Sequence, residues 1–196
     1  MENTMKIFLL FLLVVLVFSG CQQAPFISVS TPDELAPYYG TPQPAIAIVN
    51  GTEYESKIGT TQWIRESFSD GTRVIEIGDA FAINTPINPI VTSSNNLFIL
   101  KLPIPINPTE LWYAIYSVTE DEINSQDSSQ GIFRWNPDYK TQNYQEQTLL
   151  PLLVEQELTL PLDSGFYVLE VNAGWGGTPS HSELKADYGF LIEIQK

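Results

Sequence analysis

The chain has a single cysteine, Cys21, and a single histidine, His181, in 196 residues. One cysteine excludes an intrachain disulfide, so a folded body must be held by packing, and no Cys/His metal cluster can be assembled. Basic residues are scarce: nine Lys and Arg stand against 23 Asp and Glu, a net charge of −14. That sign repels nucleic acid and anionic headgroups at long range, so neither is an expected partner. Long apolar runs are missing too. The longest, twelve residues from Ile7 to Phe18, falls short of the roughly 20 that a spanning helix needs. G-x-S-x-G, H-E-x-x-H, a phosphate-cradling glycine loop and the dinucleotide fingerprint are all absent, which removes the common enzyme templates.

What is present begins with Lys6, the apolar run, and then Phe18, Ser19, Gly20 and Cys21. A run of this length after one positive charge suits the h-region of a signal peptide. Two small residues directly before the cysteine resemble the lipobox of bacterial lipoproteins, with Phe18 where Leu is usual. The resemblance implies that residues 1–20 are a cleaved leader, that the Cys21 sulfur takes up a diacylglycerol, and that Cys21 becomes the new N-terminus. More than one acyl chain gives lasting attachment where one gives marginal binding. Cys21 is then a tether, not a nucleophile, and its partner is membrane lipid. The implied location is extracytoplasmic, at the cell membrane or an outer membrane, and Gln22 in place of Asp favours the latter in a cell with two membranes. Ordinary secretion and an uncleaved helix are the alternatives. Met5, followed directly by Lys6, makes a better leader start than Met1 with Glu2 behind it.

Loss of the leader removes Glu2 and Lys6 together and leaves the charge at −14. The remainder, 43% apolar and 12% aromatic over the whole chain, can bury a core and suits one domain. Residues 21–44 carry Pro25, Pro32, Pro37, Pro42 and Pro44 and read as an extended tether, with a reach approaching about 70 Å at roughly 3.1 Å per residue. Phe26, Ile27, Tyr38 and Tyr39 allow part of it to pack on the domain's edge. The domain is expected over 45–196, with hairpins over 45–83 and a sandwich core over 87–196.

Ile46 and Ile48 alternate with small residues, and Asn50-Gly51 supplies the two positive-φ positions of a type I′ turn before Thr52 to Ser56. Thr61 to Phe68 and Thr72 to Ile77 flank Asp70-Gly71, a second hairpin, with Trp63 as core anchor. Between Asn84 and Pro108 five prolines surround Leu97 to Leu102, a strand whose neighbours should not continue a ladder. Leu111 to Val118, rich in aromatic and β-branched residues, reads as a central strand. Glu120 to Gln130 reads as a loop or one helical turn. Ile132 to Trp135, Gln145 to Leu149, Glu157 to Leu160, Val168 to Trp175 and Ala186 to Gln195 complete the strands. No ten-residue segment beyond the leader shows a 3.6 period, so the domain is all-β.

Asp163, Gly165 and Tyr167 spell D-x-G-x-Y ahead of an alternating strand. This resembles the start of strand F in immunoglobulin-like domains, where the tyrosine hydroxyl bonds back to the corner before it. The resemblance makes Leu97 to Leu102 strand B, places Trp112 on C, and makes Glu157 to Leu160 E and Ala186 to Gln195 G. Leu169 stands where antibody domains carry a cysteine. The stretch from Gly165 to Val171, then Trp175, then Ala186 to Ile194 also looks like the C-terminal hairpin of small uncharacterised bacterial lipoproteins, which implies no activity.

His181 sits in a Gly/Pro/Ser loop and is expected to be solvated. Glu120, Asp121, Glu122 and Asp127 lack the D-x-[DN]-x-[DN]-G spacing of a calcium loop and read as a charged face. Trp135 and Trp175, each beside Gly or Pro, are the tryptophans expected at the surface, where with Trp63 and nearby tyrosines they would stack on sugar rings. The resulting reading is a lipid-anchored, non-catalytic β-sandwich, immunoglobulin-like with extra N-terminal hairpins, that needs no cofactor or metal and binds an envelope protein or glycan. A carbohydrate-binding module is the first alternative, and a small hydrolase with paired carboxylates is the second.

Overall fold

In a computed structural model, the structure describes residues 32–67, 73–78, 83–126, 128–135, 147–177 and 183–196. The leader with Cys21, the Asp70-Gly71 turn, Asp127 and the loop with His181 lie outside the described residues. The strands are β1 (Ile46–Val49), β2 (Thr52–Glu55), β3 (Lys57–Ser67), β4 (Arg73–Ile77), β5 (Ile83–Pro86), β6 (Ile90–Ser93) and β7 (Leu97–Lys101). They continue with β8 (Glu110–Val118), β9 (Ile132–Trp135), β10 (Thr148–Leu149), β11 (Glu155–Thr159), β12 (Gly165–Trp175) and β13 (Leu184–Gln195).

These strands form an all-β, sandwich-like fold. One sheet runs β11-β7-β1-β2; the larger runs β10-β8-β12-β13-β3-β4, with β6 parallel to the far end of β13. Period-two alternation sets the packing. Ala47, Val49, Phe98, Leu100 and Leu158 from the first sheet meet Leu169, Val171, Ala173, Trp175, Tyr188 and Phe190 from the second. The opposite face of the larger sheet is covered in part by the β5–β9 pair. There Ile83, Phe133 and Trp135 pack on Ala114, Tyr116, Val168 and Leu191. Gly189 makes that third layer possible: a Cβ there would lie 2.1 Å from the backbone oxygen of Asn84 on β5.

The first hairpin turns at Asn50 and Gly51 with φ of 52° and 78°, the two left-handed positions a type I′ turn requires. β7 pairs with β11, and β8, β12 and β13 lie side by side. Tyr167 donates its hydroxyl to the Asp163 backbone oxygen at 3.0 Å, closing the predicted corner. Thr119 and Glu122 form a reciprocal capping box on a short helix, Glu120–Asn124, so the acidic run there begins a helix.

Two expectations change. The domain starts before Ala45: Pro32–Leu35 forms a helical turn, and Leu35 is fully buried in the main core. Tyr38 lends its carbonyl to Trp63 Nε1 at 3.0 Å, and Gly40 donates to Ile64, so this part of the proline-rich segment is domain and not free tether. The proline-flanked region also holds two strands, β5 and β6. Pro86 closes β5 and Pro89 precedes β6, so each proline sits at a strand's limit, where its missing N–H costs no ladder bond.

Candidate functional site

Neither tryptophan expected at the surface is available for stacking. Trp175 has no exposed area; it closes the β12–β13 ladder opposite Leu184 and shares the core parity of Leu169, Val171 and Ala173. Its ring meets Trp63 edge-on at 6.2 Å, and its Nε1 donates to the Ile106 carbonyl at 2.9 Å. Trp135 is 9% exposed and packs on Tyr116 at 4.6 Å. Both corrections have one cause: strand parity sets which way a side chain points, and the adjoining Gly or Pro does not. Trp63 is likewise buried, and Trp112, half-buried, donates to Glu110 Oε1 at 3.2 Å.

The larger sheet's outer face carries a polar network beside the patch under β5–β9. Register places Glu170 opposite Gly189 and Asn172 opposite Asp187, so the two acids are diagonal neighbours across β12 and β13. Tyr116 donates to Glu170 Oε2 at 2.8 Å, Asn172 Nδ2 donates to Asp187, and Lys185 bridges to Glu110 at 3.2 Å. Burial pushes the Glu170 carboxyl up to about 7; nearby Asp187 adds to the rise and the Tyr116 bond offsets part of it. Asp187 is raised as well, chiefly by burial, with Asn172, Lys185 and Thr60 pulling back toward the ionised form. This pair was not picked out from the sequence. The available signal was Glu170 and Asn172 standing on the non-core parity of an otherwise apolar strand.

Among the described residues no group of three or more His, Cys, Asp or Glu is placed to hold a metal ion. Among the described residues, recesses open at the margins of the sandwich. One of about 250 Å³ lies where Tyr38 and Tyr39 meet Trp63 and Pro103. A second, about 260 Å³, lies between β2 and the β6–β13 side, floored by Ile90 and Phe190 with Glu53 and Glu55 at its rim. Another, about 440 Å³, lies by Ile123 and Phe166 with Glu120 and Glu193 beside it. The last two are thus rimmed by acids.

These features define an all-β, sandwich-like protein with a buried Glu170 beside a half-buried Asp187, and with acid-rimmed recesses. No protein-family profile, no curated protein and no solved structure matches the chain. No helix among the described residues is long and apolar enough to cross a membrane.

Proposed function

We propose that this chain is a lipid-anchored, extracytoplasmic binding module that acts without catalysis. Acylated Cys21 tethers it to the cell membrane or an outer membrane, and the sandwich presents its margins to an envelope protein or glycan. The anchor rests on the leader pattern from Lys6 to Cys21. One observation carries the binding role: on the large sheet's outer face Tyr116 pairs with Glu170, Asn172 with Asp187 and Lys185 with Glu110, while the recesses open at the margins. Inhibiting lipoprotein signal peptidase is expected to accumulate the precursor, and Cys21→Ala to release the protein from membranes. An unmodified Cys21 sulfur by mass spectrometry overturns the anchor.

A small hydrolase is the second reading, favoured by a Glu170 carboxyl near 7 beside Asp187, the kind of split environment that separates an acid from a base. Against it, Glu170 is only 8% exposed and is held by Tyr116. Glycosidase substrates left intact by the purified chain dismiss this reading; turnover lost in Glu170→Gln establishes it.

A further inference from the structure

The outer face of the smaller sheet has its own pattern. Two rows cross it: Glu55, Ile46, Lys101 and Glu155, then Glu53, Ile48, Ile99 and Glu157. Half-buried isoleucines form the middle, and exposed glutamates stand on both flanks. Among the described residues Lys101 bridges to Glu155, at 3.4 Å, and not to the glutamates of β2, so the β2 flank keeps its charge.

β2 is also an edge: among the described residues its only strand partner is β1. A two-residue turn makes the pair beside it, Val49 with Thr52, a hydrogen-bonded one, and bonded pairs then alternate. Ala47–Tyr54 is therefore bonded, and the Ser56 N–H bonding the Ala45 carbonyl at 2.9 Å keeps the same phase. Glu53 and Glu55 fall on the other phase, so their backbone N–H and C=O groups point away from β1 into open space. Their side chains stand on the outer face, whereas Tyr54 turns inward to the 260 Å³ recess with Ile90 and Phe190.

We propose that β2 is the docking edge for an extended segment of a partner protein that alternates basic, apolar and basic residues and adds as a further strand. This deepens the binding-module reading and rests on it. Strand addition uses the outward backbone groups of Glu53 and Glu55 for affinity and alternate side chains for specificity. Lysine or arginine directly opposite each glutamate forms a cross-strand ion pair. The residue between, opposite Tyr54, enters the recess and is apolar. A second copy of this chain is the wrong occupant: β2 against β2 sets glutamates beside glutamates on a molecule of charge −14.

The test titrates the detergent-solubilised full chain with a labelled, end-capped Lys-Val-Lys-Val-Lys peptide and follows fluorescence anisotropy. Saturable binding is expected, weakening as salt rises and falling at least tenfold in the E53K/E55K variant, whose circular dichroism stays that of the parent. An alternately N-methylated peptide, which keeps the charges but loses the strand's donors, is expected not to bind the unaltered chain. No binding, equal binding of Glu-Val-Glu-Val-Glu, or indifference to N-methylation overturns the proposal. So does a dimer of the chain that E53K/E55K dissociates. Lipid on Cys21 without peptide binding sinks the edge alone, and peptide binding with an unmodified Cys21 sinks the anchor alone.

Discussion

Tyr116 on β8 and Glu170 on β12 are joined by a 2.8 Å hydrogen bond on the outer face of the larger sheet, the tyrosine donating to Oε2. The bond favours the ionised carboxylate, yet burial prevails and the group titrates near 7 instead of its ordinary 4.5.

Stability should therefore fall as pH rises from about 5 to 8. The folded chain holds a proton on Glu170 that the unfolded chain has already released, so the unfolded state binds fewer protons across that window and the slope is negative. At roughly 1.4 kcal/mol per unit the effect amounts to about 3 kcal/mol at most, and Asp187, also raised, acts in the same direction. Urea midpoints at pH 5 and pH 8 measure it. Glu170→Gln is expected to flatten the difference substantially.

Gly189→Ala is expected to cost about 2–4 kcal/mol, because the new methyl group meets the Asn84 backbone and not a side chain that can swing away. The β5–β9 layer must lift, exposing Trp135. A red-shifted tryptophan emission together with a lowered melting temperature is the readout, and an unchanged melting temperature refutes the close approach.

Tyr167→Phe keeps the ring and removes the 3.0 Å bond to the Asp163 carbonyl. A loss of about 0.5–1.5 kcal/mol is expected, the usual net worth of one such bond. Denaturant unfolding at fixed pH resolves a change of that size.

Trp175→Ala removes a fully buried indole, its contact with Trp63 and its bond to Ile106, and should cost about 3–5 kcal/mol. The variant is expected to lose global fold. A stable Trp175→Ala protein that has lost only glycan affinity would restore the stacking role the buried position denies it.

Local chemistry made much of the fold legible. Asn50-Gly51 specified its hairpin because few other residue pairs tolerate two left-handed positions, and Gly165 and Tyr167 marked their corner, the glycine by its positive φ and the tyrosine by its bond back to the Asp163 carbonyl. β6 was not legible, since its parallel pairing joins Ile90 to Ile192 across half the chain and leaves no mark in its four residues. Leu35 was hidden for a similar reason: only the body it packs against distinguishes it from tether. The Glu170–Asp187 pair was half visible, because parity marks each residue as off the core, but their proximity comes from the β12–β13 register. The open β2 edge follows from the hairpin phase, yet its being an edge is a property of sheet order.

β13 bonds to β12 along one side and to β3 and β6 along the other. As a chain made from its N-terminus emerges, the β3–β4 hairpin can form early, but among the described residues its next strand partner in the sheet is Leu184–Gln195. Assembly of that sheet therefore waits on Leu184–Gln195, and until it is made the rims of β12 and β3 lie open to any other nascent strand nearby.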